Sequence, residues 1–148
     1  MLTTGSNVDR DRLAKVEVKE IVYATDFAPG SLQAWPYAFS IAEVYGAHVT
    51  LVHILSDDIP SYTREGTEAS FQEQLKSMLP KDTMISSDAL VRFGEPATGI
   101  LEVAKERDAN LIVMGVRGQV SWSAAHLPWA ITHQVVCHSH CPVLTVRG

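Results

Sequence analysis

The sequence predicts an α/β protein built on an open, doubly wound parallel sheet. Its short apolar runs are continuous rather than alternating, which is typical of strands that are buried on both faces of a parallel sheet. Amphipathic helical patterns lie between these runs, so strand and helix alternate along the chain. The predicted strands are residues 21–24, 49–55, 89–93, 111–114 and 143–146.

Four stretches between the strands have the spacing of helices with one apolar face. In the first, apolar side chains recur at i, i+3, i+4 and i+7, and Pro36 predicts an irregular first turn. The second has a weaker pattern. The third is the clearest, because Pro96 suits the first helical position and Lys105 falls in the last turn. The predicted helices are residues 32–45, 67–79, 96–107 and 129–138.

Length and charge limit the classes of function. The chain has 148 residues, which is the length of one ordinary domain. Residues 1–17 are polar and lack periodicity, so we predict a flexible N-terminal tail there and a single domain at 18–148. A formal charge of −5 argues against nucleic acid and anionic membranes as partners, because both are bound through cationic residues. No apolar run approaches the ~18 residues of a membrane span, and the first residues lack the apolar core of a signal peptide. With two cysteines, we expect a cytoplasmic protein with reduced thiols.

Asp26 follows the first predicted strand, and ligands of doubly wound sheets bind at the carboxyl ends of the strands. A carboxylate there can accept hydrogen bonds from a ribose or from an adenine amino group. It can also cap the following turn and helix, a role that Ser31 could share. Position alone favours the cap, and both interpretations stay open.

Gly115, Arg117 and Gly118 are predicted to lie just past the fourth strand. Glycines there allow a close approach to a ligand, adjacent N–H groups can bind an anion, and Arg117 would add charge for a phosphate. Turn geometry alone can also explain two glycines in a strand-to-helix loop. The chain contains neither a P-loop sequence nor the G-x-G-x-x-G fingerprint of dinucleotide-binding proteins.

Five segments in a fixed order resemble the universal stress protein family over about residues 18–147. The resemblance implies a fold like that of the adenine-nucleotide α-hydrolases, with a five-stranded parallel sheet in the order 3-2-1-4-5 and four helices. It also implies a homodimer, often paired through the last strand, here 143–146. The segments are residues 21–27, 46–54, 94–104, 109–118 (ANLIVMGVRG) and 141–146 (CPVLTV).

The family contains ATP-binding and non-binding members, and the binders share a G-x2-G-x9-G-S/T motif. In them the motif holds the phosphates and ribose, while a first-strand aspartate and the main chain of the second strand hold the adenosine. The resemblance matches Asp26 to that aspartate and Ile54 to the main-chain contact. It matches Gly115 and Gly118 to the first two glycines.

The second half of the motif is missing. Counting forward from Gly118 puts Pro128 and Trp129 at the Gly-Ser/Thr pair, whereas counting back from the Cys141-Pro142 landmark puts Trp129 and Ala130 there. The second alignment keeps the apolar pattern of the helix. Proline has no N–H to offer a phosphate, and tryptophan places a bulky apolar group where a polyphosphate would lie.

Three other groups of residues are weaker indications of function. The stretch 137–141 and His133 supply zinc-ligand types, but 137–141 straddles a helix end and a strand start, so we expect no metal site. Ser121 and Ser123, with His126 or His133, supply the residue types of a catalytic triad, but no G-x-S-x-G elbow is present, so no hydrolase is expected. Trp122 and Trp129 are of a residue type that is common at core and interface positions.

These observations predict a cytoplasmic, dimeric stress-response or signalling module that acts by binding rather than catalysis. We expect no cofactor and no tight ATP binding of the usual kind. The alternative is an ATP- or AMP-binding nucleotide switch with at most slow ATP hydrolysis. A scaffold without any ligand is the third hypothesis.

Overall fold

The structure of the protein is a computed structural model that describes residues 15–116 and 126–147. The described residues form alternating strands and helices, as the sequence predicts. The strands are β1 (Glu20–Ala24), β2 (His48–Leu55), β3 (Ser87–Phe93), β4 (Leu111–Val116) and β5 (Val143–Arg147). The helices are α1 (Pro29–Leu32), α2 (Trp35–Tyr45), α3 (Ser61–Ser77), α4 (Pro96–Glu106) and α5 (His126–His138).

The strands form one parallel sheet in the order β3-β2-β1-β4-β5, which confirms the predicted fold class and strand order. Ala24, the last residue of β1, pairs with Val52 on one side and with Met114 on the other. The chain leaves β1 towards β2 and β3, and later adds β4 and β5 on the opposite side. The strand order therefore reverses beside β1, where sheets of this class bind ligands.

The sheet is covered by helices on both faces, because alternate side chains of its strands enter two separate cores. Tyr23 and Leu51 pack on one face with Leu75 of α3 and the alanines of α2. Val22 and Val52 pack on the other face with buried side chains of α4 and α5. The double winding expected from the continuous apolar runs is thus confirmed.

Helix boundaries differ from the prediction at three places. The first predicted helix, 32–45, is divided into the single turn of α1 and the longer α2, with Pro36 in the first turn of α2. Helix α3 begins at Ser61 rather than at 67. The prediction missed this start because the first two turns of the helix are largely polar and show no apolar period. Helix α5 begins at His126, before the predicted start. The four long helices otherwise match those expected.

Strand β4 extends to Val116, so Gly115 lies inside the strand, paired with Val146 of β5, and not past its end as predicted. The strand continues beyond the apolar run that marked it in the sequence, because β5 supplies a pairing partner there.

The tail predicted at 1–17 lies mainly outside the described residues and stays a prediction. Within residues 15–116 and 126–147, no helix combines the length and apolarity that a membrane crossing requires.

Candidate functional site

A cleft of about 140 Å³ lies at the carboxyl ends of β1, β2 and β4, beside the reversal of strand order. Residues from α1, α4 and α5 also line it, so it is bounded by both helical layers. Its apolar side chains include Val52, Ile54, Ile100, Met114 and Ile131. Its polar side chains are Thr25, Asp26, Ser31, His53 and Thr132. A mostly apolar cleft with a few convergent polar groups is typical of a small-molecule site.

Asp26 divides its two carboxylate oxygens between different tasks. Its Oδ1 accepts hydrogen bonds from the Ala28 N–H at 2.9 Å and from the Ser31 hydroxyl at 2.7 Å. These bonds hold the turn that begins α1, whose N-cap residue, Ala28, has no polar side chain of its own. Asp26 therefore holds the turn, but the helix has no side-chain N-cap. Ser31, which was predicted to share the capping, lies inside α1, and its hydroxyl donates to Asp26 Oδ1 and to the Ala28 carbonyl rather than accepting from an N–H. Oδ2 has no hydrogen-bond partner among the described residues and stays available at the cleft.

A relay of hydroxyl groups fixes the Asp26 carboxylate. The Phe27 N–H donates to Thr25 Oγ1 at 2.9 Å, and Thr25 Oγ1 lies 2.9 Å from Ser31 Oγ. The single Ser31 proton has two acceptors, Asp26 Oδ1 at 2.7 Å and the Ala28 carbonyl at 2.9 Å. Whichever of the two it meets, the Thr25 hydroxyl is left to donate to Ser31. Below them, the buried Tyr23 hydroxyl donates to the Ser31 carbonyl at 2.7 Å. Burial raises the pKa of Tyr23 to about 12, with a smaller contribution from the Asp26 charge, so this hydroxyl keeps its proton as a donor.

Phe27, directly after Asp26, has a left-handed backbone with φ of 62°. This conformation costs roughly 1–2 kcal/mol for a residue with a side chain, so it needs support from the surrounding structure. The support is aromatic: the Phe27 ring lies 5.0 Å from His53 and 5.6 Å from Phe71 of α3. His53 in turn holds the Thr25 carbonyl at 2.8 Å through Nδ1. The aromatic contacts and the His53 bond therefore position the turn that carries Asp26.

Ile54 lines the cleft where β2 continues beyond the end of β1. The Thr25 N–H donates to the Val52 carbonyl at 3.0 Å, so the polar groups of Val52 point towards β1. Backbone groups alternate sides along a strand, which directs the N–H and C=O of Ile54 to the same side. Because β1 has ended there, neither group has a backbone partner on that side among the described residues. The position implied by the family resemblance thus carries one main-chain donor and one acceptor.

Gly115 has a packing role that the sequence did not indicate. A Cβ at this position would lie 2.1 Å from the Gly30 carbonyl oxygen and 2.6 Å from Ser31 Cα. Both are backbone atoms of α1, which crosses β4 in direct contact. Because Gly115 has no side chain, the backbone of α1 can pack directly against β4. Gly115 also lines the cleft, so it brings α1 and its Ser31 to the site.

Glu95 fixes the beginning of α4, whose first residue, Pro96, also lines the cleft. Its carboxylate accepts from the Ala97 N–H at 3.1 Å, and from the N–H and hydroxyl of Thr98 at 2.7 and 2.6 Å. These hydrogen bonds, chiefly those from Thr98, lower the pKa of Glu95. The free N–H groups of this helix terminus are thus already occupied by a side chain of the protein.

The phosphate half of the predicted site is described only in part. Arg117 and Gly118 lie outside the described residues. Pro128, Trp129 and Ala130 all lie in the first turns of α5. Because proline lacks an N–H, one of the free donors at the start of this helix is missing. The structure places Asp26, Ile54 and Gly115 around one cleft.

His53 and Thr132 were missed as site residues by the sequence analysis. His53 interrupts the apolar second half of β2, and that interruption was the signal that could have identified it. Thr132 is buried in α5 and gave no signal, because one threonine in a helical pattern is unremarkable in sequence. Among the residues that the structure describes, no group of three or more histidine, cysteine or acidic side chains is arranged to hold a metal ion.

Comparison with known proteins agrees with this architecture. A profile of the universal stress protein family matches residues 17–147. A universal stress protein from Thermus aquaticus, encoded in the 3′ region of a QAH/OAS sulfhydrylase gene, is 32% identical over 140 residues, covering 87% of this chain and 98% of its own length.

Two solved structures share the fold at lower identity. A universal stress protein in complex with cAMP superposes with a TM-score of 0.66 at 22% identity, covering 88% of this chain and 98% of that one. An Arabidopsis thaliana family protein with AMP bound gives 0.64 at 16% identity, covering 87% and 91%. Fold, strand order and the profile match over nearly the whole domain lead to the same conclusion: the chain belongs to the universal stress protein family.

Proposed function

We propose that this protein is a cytoplasmic stress-response module that acts by binding and does not bind ATP tightly in the family's usual way. In this proposal its cleft accepts an adenosine or AMP, and a triphosphate adds nothing to the affinity. The single observation that carries the proposal is the Asp26 carboxylate. Its Oδ1 is consumed by the turn, while its Oδ2 has no partner among the described residues.

The adenosine half of the cleft supports this proposal. The Ile54 N–H and C=O offer a donor beside an acceptor, which complements the N1 acceptor and N6 donor of adenine. Val52, Met114 and Ile131 supply apolar contacts for the faces of a base. Asp26 Oδ2 can accept from a ribose hydroxyl. The cAMP and AMP in the two related structures are consistent with a ligand of this class.

The phosphate half supports the exclusion of tight ATP binding. Phosphates bind at a helix N-terminus through free N–H groups and the helix dipole. Here Pro128 removes a donor in the first turn of α5, and no hydroxyl occupies the position of the family's serine or threonine. Each lost hydrogen bond to a charged group costs about 1.5–3 kcal/mol. That loss weakens ATP binding by about tenfold to somewhat over a hundredfold.

Binding rather than catalysis also fits the polar groups of the cleft. Asp26 and His53 are the ionisable side chains that the described lining provides. Asp26 Oδ1 and His53 Nδ1 each hold the turn after β1. Covalent catalysis needs a nucleophile activated by a positioned base, and the lining does not pair these groups in that way. We therefore assign the site no catalytic residue.

The first experiment is calorimetric titration of the full chain with adenosine, AMP and Mg-ATP, with guanosine as the base control. We expect adenosine and AMP to bind, with ATP no tighter than AMP and guanosine weaker than adenosine. Thermal unfolding provides a second readout, because a ligand at 100 times its Kd stabilises the fold by about 2.7 kcal/mol. Binding of ATP at least tenfold tighter than AMP would overturn the proposal. Absence of binding by all adenine ligands would do so too.

Asp26→Asn separates the two tasks of the carboxylate. The asparagine oxygen can still serve the turn, so we expect little change in thermal stability. The amide group that replaces Oδ2 is a donor and cannot accept from a ribose, so adenosine affinity should fall about tenfold or more. Asp82→Asn is the matched control, because Asp82 is exposed, lies between α3 and β3, and makes no side-chain hydrogen bond with the described residues.

A specific observation also favours the alternative, a nucleotide switch that binds ATP: the aspartate and first glycine of the binders' pattern are both at the cleft. The double substitution Trp129→Gly with Ala130→Ser restores the missing pair. If the missing pair limits ATP binding, this variant should bind ATP about tenfold or more tightly than the parent chain. Equal ATP affinity of parent and variant would show that another part of the protein receives the phosphates.

We also propose that the chain forms a homodimer through β5 at residues 143–146. Strand β5 pairs with β4 on one edge, and its other edge has no partner among the described residues. The Ile112 N–H donates to the Pro142 carbonyl, so strand alternation places the Thr145 N–H on the outer edge. Thr145→Pro should therefore leave the β4 pairing intact while it weakens a dimer, as measured by light scattering. An unchanged dimer mass would exclude this edge.

A further inference from the structure

We propose that His133 and Cys137, one turn apart on α5, form a two-ligand site for a divalent metal cation of the Zn²⁺ type. Both side chains are exposed, and the Cys137 Sγ lies 3.6 Å from His133 Nε2 and 3.8 Å from Nδ1. The cysteine is a free thiol. The pair lies in the second half of α5, outside the set of residues that line the cleft, so it is independent of the proposed nucleoside site.

The separation of the two atoms matches what zinc requires. Zinc bonds are about 2.3 Å to sulfur and about 2.0–2.1 Å to a histidine nitrogen, in a tetrahedral arrangement. Two such bonds at a tetrahedral angle place sulfur and nitrogen about 3.6 Å apart. The observed Sγ–Nε2 distance is 3.6 Å, but Sγ lies almost as close to Nδ1, at 3.8 Å. The imidazole must therefore reorient to direct its Nε2 lone pair at a shared cation, and both side chains are exposed and free to do so. The i, i+4 spacing is that of the two helical histidines in H-E-x-x-H zinc sites.

The electrostatics of the helix end favour a bound cation. His133 and Cys137 lie in the last two turns of α5, where the helix dipole presents its negative end. The stretch 126–142 contains no lysine or arginine that would repel a cation.

Binding is a proton exchange without a change of oxidation state. The Cys137 S–H bond breaks, its proton goes to solvent, and a metal–sulfur bond forms. His133 donates its Nε2 lone pair and keeps its proton on Nδ1. Two water molecules complete the tetrahedron. Because one thiol proton is released, affinity should fall as the pH is lowered.

The test is titration of the full reduced chain with Co²⁺, whose bond to a thiolate gives a charge-transfer absorption in the near ultraviolet, followed by displacement with Zn²⁺. We expect a thiolate band at one Co²⁺ per chain that both Cys137→Ser and His133→Ala weaken at least tenfold. The matched controls are Cys141→Ser and His138→Ala. His138 is on the same helix, but its Nδ1 is hydrogen-bonded to the Gln134 carbonyl at 2.9 Å.

The variants give clear outcomes, because both substituted side chains are exposed and their removal leaves the core unchanged. Circular dichroism will verify that each variant is folded. Retention of the band in Cys137→Ser, or its loss in Cys141→Ser alone, would overturn the assignment of the sulfur ligand. Equal affinity of His133→Ala and the parent chain would show that the thiol binds without the imidazole. The absence of a band at millimolar Co²⁺ would reject the site.

Discussion

Replacing Gly115 with alanine places a methyl group against the backbone of α1. The new Cβ would lie 2.1 Å from the Gly30 carbonyl oxygen and 2.6 Å from Ser31 Cα. Ordinary contacts of a carbon atom are about 3.5–4.0 Å, so α1 would have to withdraw from β4 by roughly 1 Å or more. A flexible side chain cannot absorb this change, because both obstructing atoms belong to the main chain.

The expected effect is on stability and on the site together. Overpacking of a tight contact costs about 1–3 kcal/mol. A chain of this length loses about 2–4 °C of Tm per kcal/mol, so Tm should fall by about 2–12 °C. Since α1 carries Ser31, which holds Asp26 Oδ1, its withdrawal should also weaken adenosine binding if the proposed site is correct.

Thermal unfolding by circular dichroism and calorimetric titration with adenosine measure the two effects. Gly66→Ala is the matched control: Gly66 is exposed within α3, and a Cβ there meets no atom within 4 Å. Alanine at Gly66 should stabilise the fold by about 0.5–1 kcal/mol through helix propensity. If Gly115→Ala unfolds within a degree of the parent, the contact between α1 and β4 does not constrain residue 115, and the packing argument fails.

Three further predictions address the network around the cleft. Ser31→Ala removes the donor to Asp26 and should lower stability by about 1–3 kcal/mol, whereas an unchanged denaturation midpoint would contradict the relay. The raised pKa of Tyr23 implies stability that is complete below pH 10 and lost as pH rises towards 12, and alkaline titration of unfolding checks this against Tyr23→Phe. The lowered pKa of Glu95 implies a contribution that is present above pH 4.5 and lost as pH falls through the lowered value. Glu95→Ala should therefore be less stable at pH 7, by about 1 kcal/mol or less since the group is exposed, and should converge with the parent in acid.

The fold was predictable because its signals are local. Each of the five strands is marked by an apolar run, and the order of strands and helices fixes the class of sheet. Helix α3 was predicted to start too late, because residues 61–66 are polar and the helix begins without an apolar face. The division between α1 and α2 was only hinted at by Pro36, since a proline in the first turn of a helix is compatible with an unbroken one.

The site was less predictable because its contacts join distant segments. Asp26 could be identified from its place after β1. The reason for Gly115 could not, since the atoms that exclude a side chain there belong to α1, far earlier in the chain. Likewise, nothing near Phe27 in the sequence announces its left-handed backbone, which depends on contacts with His53 and Phe71. A candidate residue can therefore be identified from the sequence, but the cause of an unusual backbone conformation lies in contacts with residues that are distant in the sequence.

Capping and ligand binding, which the sequence left as alternatives for Asp26, are compatible in the structure because a carboxylate has two oxygens. Ala28 N–H and the Ser31 hydroxyl both bond Oδ1, and by doing so they fix the orientation of Oδ2. An acceptor whose orientation is already fixed loses less conformational entropy on meeting a ligand. The cap would then be the means by which the binding group is preorganised. It follows that Ser31→Ala should weaken adenosine binding, although the Ser31 hydroxyl bonds Asp26 and not the ligand. Asp26→Asn should also weaken adenosine binding, but it should leave the turn intact. If Ser31→Ala lowered stability but left adenosine affinity unchanged, the two roles of Asp26 would be independent of each other.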